Sequence, residues 1–176
     1  MELAFLCPGQ ASQKIGMGQD LYENTELGKR YFDTANEVMG VDIQDIIFNG
    51  PEETLKQTQY TQPAIYIVSV IIGELLKGKG IIPSSAAGHS LGEYSALTLA
   101  NSFDFEIGLQ LVKVRSEGMQ KAGNQNLGTM AAIIGLDDEK VQLICQQYSE
   151  GIVVAANFNA KGQVVISGEI DAVHAV

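Results

Sequence analysis

Apolar residues recur along this chain in two rhythms, and the rhythm changes near residue 125. Before that point the longer segments have helical spacing. Residues 20–39 set Leu21, Leu27, Tyr31, Ala35 and Val38 at helical intervals, which predicts one helix. A second segment, opened by Thr61-Gln62-Pro63, stays apolar nearly all round to Leu76 and stops at Gly78-Lys79-Gly80. A helix that is apolar on every side belongs at the centre of a core. Two more helices are expected over 91–100 and 104–122. The strands are short: residues 3–6, ended by Pro8-Gly9, and the apolar run leading into Gly88. Asn49-Gly50-Pro51 reads as a turn, with Glu52 and Glu53 suited to the first turn of a helix.

Beyond Gly123-Asn124-Gln125-Asn126 the pattern becomes a strand (130–135), a helix (137–149), two strands (152–156 and 164–167) joined around Asn159-Ala160-Lys161-Gly162, and the start of a helix (170–176). This β-α-β-β-α order is that of a small split βαβ unit without its last strand. The expected division is therefore 1–124 and 125–176, with the second unit incomplete.

Composition narrows the class. In 176 residues, 45% apolar and 18% charged content with no low-complexity tract predicts a folded chain with a substantial core. Eleven basic against 21 acidic residues give a net charge of −10. No Lys/Arg cluster stands out, which argues against nucleic acid or an anionic membrane as partner. A small anion needs only one well-placed arginine. Cys7 and Cys145 lie far apart in apolar segments and read as buried free thiols, as in a reducing compartment. The first residues carry no basic leader, and the longest apolar run (64–72) is far too short for a membrane span. A cytoplasmic protein is expected.

The most informative stretch is Gly88-His89-Ser90-Leu91-Gly92, a G-x-S-x-G pentapeptide between an expected strand and an expected helix. That is the context of a nucleophile elbow, in which a sharp turn presents the serine. The helix behind it offers free N–H groups and a positive dipole end to a developing oxyanion. A serine hydroxyl also needs a base, usually histidine. Of the two histidines, His89 adjoins Ser90, so its side chain should diverge from it, and His174 lies in the last helical segment with a surface pattern. Neither is a convincing base.

Two further residues complete the constellation. Arg115 falls in line with Leu111 and Met119 on its helix, on a face with apolar neighbours. Such a guanidinium needs a partner, either an internal carboxylate or the carboxylate of a substrate. Gln10 follows Pro8-Gly9 at the end of the first strand. Loops at the carboxyl ends of parallel strands gather at one crevice, so the Gln10 N–H could join that of Leu91 in an oxyanion hole.

On these residues the chain resembles malonyl-CoA:acyl-carrier-protein transacylases and the related acyltransferase domains of fatty-acid and polyketide synthases. The matching segments are Phe5…Pro8-Gly9-Gln10-Ala11-Ser12-Gln13, Thr61-Gln62-Pro63-Ala64, the residues from Gly88 to Leu97, Arg115 with Met119, the residues from Met130 to Leu136, and Asn157-Phe158-Asn159…Gly162 to Gly168. They run in family order along essentially the whole chain. The resemblance implies an α/β fold, a hydrolase-like parallel-sheet large domain with a ferredoxin-like small subdomain.

It also implies roles. Ser90 forms the acyl ester; the N–H groups of Gln10 and Leu91 form the oxyanion hole; Arg115 holds the malonyl carboxylate; Gln62 and Asn159 line the pocket or support the residues that do. Malonyl-CoA and acyl carrier protein are then the substrates, with no cofactor and no metal. The family's catalytic histidine lies in a later Pro-Ser-His segment. On this resemblance the chain is an N-terminal portion, with its small subdomain truncated and little or no transfer activity of its own. Two other readings compete: a serine acyl hydrolase with the same elbow, and a non-catalytic fragment that keeps the pocket.

Overall fold

A computed structural model describes residues 2–176, and the chain divides into two compact units, one ending at Gln120 and the other beginning at Lys121. In the first, strands β1 (Ala4–Cys7) and β2 (Ser85–Gly88) pair in parallel, with Cys7 opposite Gly88. Around them lie α1 (Gln19–Asn24), α2 (Glu26–Met39), α3 (Ile43–Asn49), α4 (Glu52–Leu55), α5 (Thr58–Gly78), α6 (Gly92–Leu99) and α7 (Phe105–Gln125). Helix α7 runs through both the unit boundary and the 124/125 division read from the sequence.

The core of this unit forms around α5, whose Ala64, Tyr66, Ile67, Val70 and Ile71 are fully buried among Phe32, Ile43, Ile47 and Leu109. An all-round apolar sequence gives a helix with neighbours on every side. Pro63 does not open this helix, as the sequence suggested; α5 starts five residues earlier, at Thr58. Proline has no N–H to give the carbonyl four residues back. That carbonyl, Gln59 O, lies 3.5 Å from Ser116 Oγ, and the Thr61 hydroxyl turns to Leu55 O at 2.5 Å. Tertiary packing has absorbed a residue that usually marks a boundary.

The single helix expected over 20–39 is two. Thr25 is extended (φ −138°, ψ 136°), its hydroxyl accepts the Gly28 N–H at 2.9 Å, and it donates to Leu21 O at 2.6 Å. A threonine that caps one helix and closes another ends the run regardless of periodicity. Helix α3 has no counterpart in the sequence reading. Asp42 caps it by accepting the Asp45 N–H at 2.9 Å, and it buries Ile43 and Ile47.

The second unit holds β3 (Gly128–Ile134), α8 (Asp138–Gln147), β4 (Val153–Ala160), β5 (Gln163–Glu169) and α9 (Ile170–Ala175). The sheet order is β3-β5-β4 with both pairings antiparallel, so β3 and β4 run the same way with β5 between them. Val141 and Cys145 of α8 and Ala172 and Val173 of α9 pack on Val153, Val164 and Ile166. Both cysteines are free and buried, and desolvation pushes both thiols above their ordinary range. Among the described residues no helix is long and apolar enough to cross a membrane.

The buried Tyr66 hydroxyl ties α5 to α6 and α7. It donates to Phe105 O at 3.0 Å and shares a hydrogen bond with Thr98 Oγ1 at 2.9 Å, and burial drives its ionisation far above the usual phenol range. Tyr66→Phe strips a buried carbonyl of its donor at almost constant volume. The expected loss is about 1–3 kcal/mol, read as a lowered midpoint of chemical denaturation with an unchanged denaturant slope.

Candidate active site

The chain leaves β2 at Gly88 and enters α6 at Gly92 through a turn of three residues. Ser90 sits at its apex with φ +52°, the left-handed region that a side chain rarely occupies. Three backbone bonds hold the turn: His89 N–H to Cys7 O at 3.1 Å, Gly92 N–H to His89 O at 2.9 Å, and Glu93 N–H to Ser90 O at 3.2 Å. The two glycines of the motif are dictated by backbone crowding. A Cβ on Gly88 would overlap the Gly92 carbonyl, and a Cβ on Gly92 would overlap Cys7 O.

The same crowding places His89. A Cβ on Gly9 would lie 2.8 Å from His89 Nδ1, so the imidazole rests against the loop that follows β1. Leu91 is buried behind the serine, and its N–H belongs to the helix start, where the helix itself offers no acceptor.

Ser90 Oγ is exposed and receives a hydrogen bond from Arg115 Nη2 at 2.8 Å. Arg115 Nη1 donates to Gln62 Oε1 at 2.5 Å, and its guanidinium carbon lies 5.9 Å from the centre of the Tyr94 ring. Gln62 is only 1% exposed, and its Nε2 reaches Gln10 Oε1 at 3.4 Å and Met119 Sδ at 3.3 Å. Gln10 Nε2 in turn reaches Thr58 Oγ1 at 3.3 Å. Four of the residues singled out in the sequence thus form one chain of side-chain hydrogen bonds: Gln10 after β1, Gln62 on α5, Ser90 at the elbow and Arg115 on α7. Asn159 lies on β4 of the second unit.

The surroundings of Arg115 differ from the helical-face argument. Leu111 and Met119 are 44% and 47% exposed, so they do not seal it in an apolar face. Its anchor is the amide of Gln62, 53 residues away in sequence. An internal carboxylate is not its partner either. Among the described residues the ion pairs are Lys29–Glu26, Lys56–Glu52 and Lys77–Glu74, and none involves Arg115. Sequence reasoning gave no part to Tyr94 or Thr58. Tyr94 carries a signal in its place, because it lies in the first turn of α6, directly after the elbow. Thr58 carries none.

Chemically, the site sets a hydroxyl beside a helix N-terminus and a guanidinium with neutral partners. It suits an electrophile whose developing negative charge meets donors at once, on a molecule that brings an anion of its own. Among the described residues no group of three or more His, Cys, Asp or Glu side chains could hold a metal ion.

The family model for the acyl transferase domain matches residues 4–176. A malonyl CoA-acyl carrier protein transacylase of Bacillus subtilis is 43% identical over 169 residues, which are 95% of this chain and 53% of that protein. The crystal structure of MCAT from Streptococcus pneumoniae matches with a TM-score of 0.90 at 42% identity, over 98% of this chain and 57% of its own. A malonyl-transacylase solved in complex with a type II polyketide acyl-carrier protein matches with a TM-score of 0.89 at 43% identity, over 99% and 57%. This chain spans little more than half the length of these relatives.

If backbone crowding dictates the elbow, glycine replacements should divide by position. Gly92→Ala forces its methyl onto Cys7 O and should lower stability by about 1–3 kcal/mol or more. Gly118→Ala, in α7 with open space around it, should be neutral or stabilising by up to about 1 kcal/mol. Thermal unfolding of the two variants side by side measures the contrast.

Proposed function

This chain belongs to the acyl transferase domain family, and on that premise we propose that its Ser90 site transfers a malonyl group from malonyl-CoA to the phosphopantetheine thiol of an acyl carrier protein, in fatty-acid or polyketide synthesis. One observation carries the reading. Arg115 stands 2.8 Å from the nucleophile, with neutral partners and no ion pair. A cation so placed suits an acyl group that ends in a carboxylate, which it can bind in bidentate fashion while the thioester carbonyl lies over Ser90.

The chemistry then runs in two halves. Ser90 Oγ attacks the thioester carbonyl, and the oxyanion is met by the N–H groups of Gln10 and Leu91 at the positive end of α6. Collapse expels the CoA thiolate and leaves a malonyl ester on Ser90. The phosphopantetheine thiol attacks this ester through the same oxyanion site, and Ser90 departs. Arg115 holds the carboxylate throughout, with Gln62 beside it in the pocket. The route needs no cofactor.

The proton of Ser90 is assigned to a histidine of a Pro-Ser-His segment, a sequence these 176 residues do not contain. The polypeptide acting alone is therefore expected to transfer little or no malonate. In this reading the two units are the hydrolase-like large domain and the ferredoxin-like small one.

Intact-mass measurement after incubation with malonyl-CoA tests the nucleophile. A malonyl adduct, slow to form and absent in Ser90→Ala, is expected. Arg115→Ala should cut malonyl labelling by about 10- to 100-fold, the equivalent of one lost charged hydrogen bond, and should cost acetyl labelling far less. Labelling by both acyl groups that Arg115→Ala leaves unharmed would favour a serine hydrolase that has no use for the arginine. Rapid malonyl transfer to carrier protein by this polypeptide alone would overturn the assignment of the base.

A further inference from the structure

Gln62 is the most deeply buried polar group of the site, and both ends of its amide are engaged. Its orientation follows from chemistry. A guanidinium has only donors, so the oxygen of the amide must face Arg115. The amide nitrogen then points the other way, to Gln10 Oε1 and Met119 Sδ. Helix α5 supports it rigidly, being buried on either side of this residue from Thr61 to Ile67.

The nature of this anchor has a consequence. Arg115 is a long, half-buried side chain, and fixing it costs rotamer entropy, so a buried acceptor is required to hold it in one place. A carboxylate would hold it more strongly but would also neutralise it. Gln62 supplies the acceptor without the charge. The other contacts of the guanidinium, the Ser90 hydroxyl and the face of Tyr94, are neutral as well.

We infer that Gln62 is a positioning residue that sets acyl selectivity: its uncharged amide fixes Arg115 beside Ser90 while leaving the guanidinium charge available to the carboxylate of the incoming acyl group. This rests on the malonyl reading above and adds to it the reason the clamp is empty of internal counter-ions. It predicts that the isosteric Gln62→Glu supplies the competing carboxylate from within. Gln62→Met, of similar length and neutral, removes the anchor but not the free charge.

Calorimetric titration of the full chain with malonyl-CoA and acetyl-CoA reads this without requiring turnover. The wild type should prefer malonyl-CoA by about tenfold or more, the scale of a hydrogen bond to a charged group. That preference should shrink in Gln62→Met and vanish in Gln62→Glu, while acetyl-CoA affinity changes by much less. Circular dichroism melts establish that each variant is folded, and if Gln62→Glu fails to fold, the loss in Gln62→Met decides. Equal weakening of both ligands in the Gln62 variants would reduce the residue to packing and overturn the inference. So would a preference that Arg115→Ala abolishes but Gln62→Glu leaves intact, and in that case the malonyl reading itself stands. A wild type with no preference, or one that Arg115→Ala leaves intact, would remove the malonyl reading and the inference together.

Discussion

The geometry of the site depends on how closely the backbone of the elbow approaches the end of β1. Cys7 lies opposite Gly88 in the parallel pair, and the His89 N–H to Cys7 O bond carries the ladder one residue past the strand. Gly92 then sits directly against Cys7 O, and Gly9 against His89. No side chain fits between these backbones, so the loop carrying Gln10 and the turn carrying Ser90 are joined without intervening packing. Everything at the nucleophile inherits its position from that contact: the φ of Ser90 and the start of α6.

The second constraint comes from the core. Helix α5 is buried so completely that its polar residues must find partners inside the protein. Tyr66 finds Phe105 O and Thr98, which fixes the starts of α7 and the end of α6 around it. One turn earlier on the same helix, Gln62 finds Arg115. The rigidity of an apolar core is thereby passed to a guanidinium on the far side of the site. Apolar packing and functional chemistry meet on one helix, four residues apart.

How far the sequence revealed this depends on the range of the interaction involved. The elbow, the apolar α5 and the helical spacing of α7 are local patterns, and they could be read directly. The break at Thr25 was hidden because apolar spacing continued across it, and only the capping bonds of the threonine end the helix. Helix α3 is seven residues long, too short for periodicity to stand out. Pro63 suggested a boundary from its intrinsic preference, which burial overrode. For Arg115 the local pattern pointed to Leu111 and Met119 as a covering face, yet these are half exposed. The partner that matters comes from 53 residues away, and periodicity holds no information at that distance. Its pairing with Gln62 had to come from the fold.

The net charge of −10 and the uncompensated Arg115 belong to different length scales. Charges on an exposed surface are largely screened beyond about 8–10 Å at physiological salt, so the acidic average of the chain reaches Ser90 only weakly. Within a few ångströms the nucleophile meets a guanidinium, the first turn of α6 and no ion-paired counter-charge. A local positive site therefore survives in an acidic protein. Leaving that cation without a counter-ion costs stability, as functional sites commonly do. The deficit is contained because the guanidinium is only half buried, with its remaining surface in water and its donors on an amide and a hydroxyl. Complete burial would have demanded a carboxylate beside it, and a carboxylate there would have occupied the position that the proposed substrate needs. The partial exposure of Arg115 and the neutrality of Gln62 are two halves of one solution: enough water to tolerate the charge, and an anchor that does not cancel it.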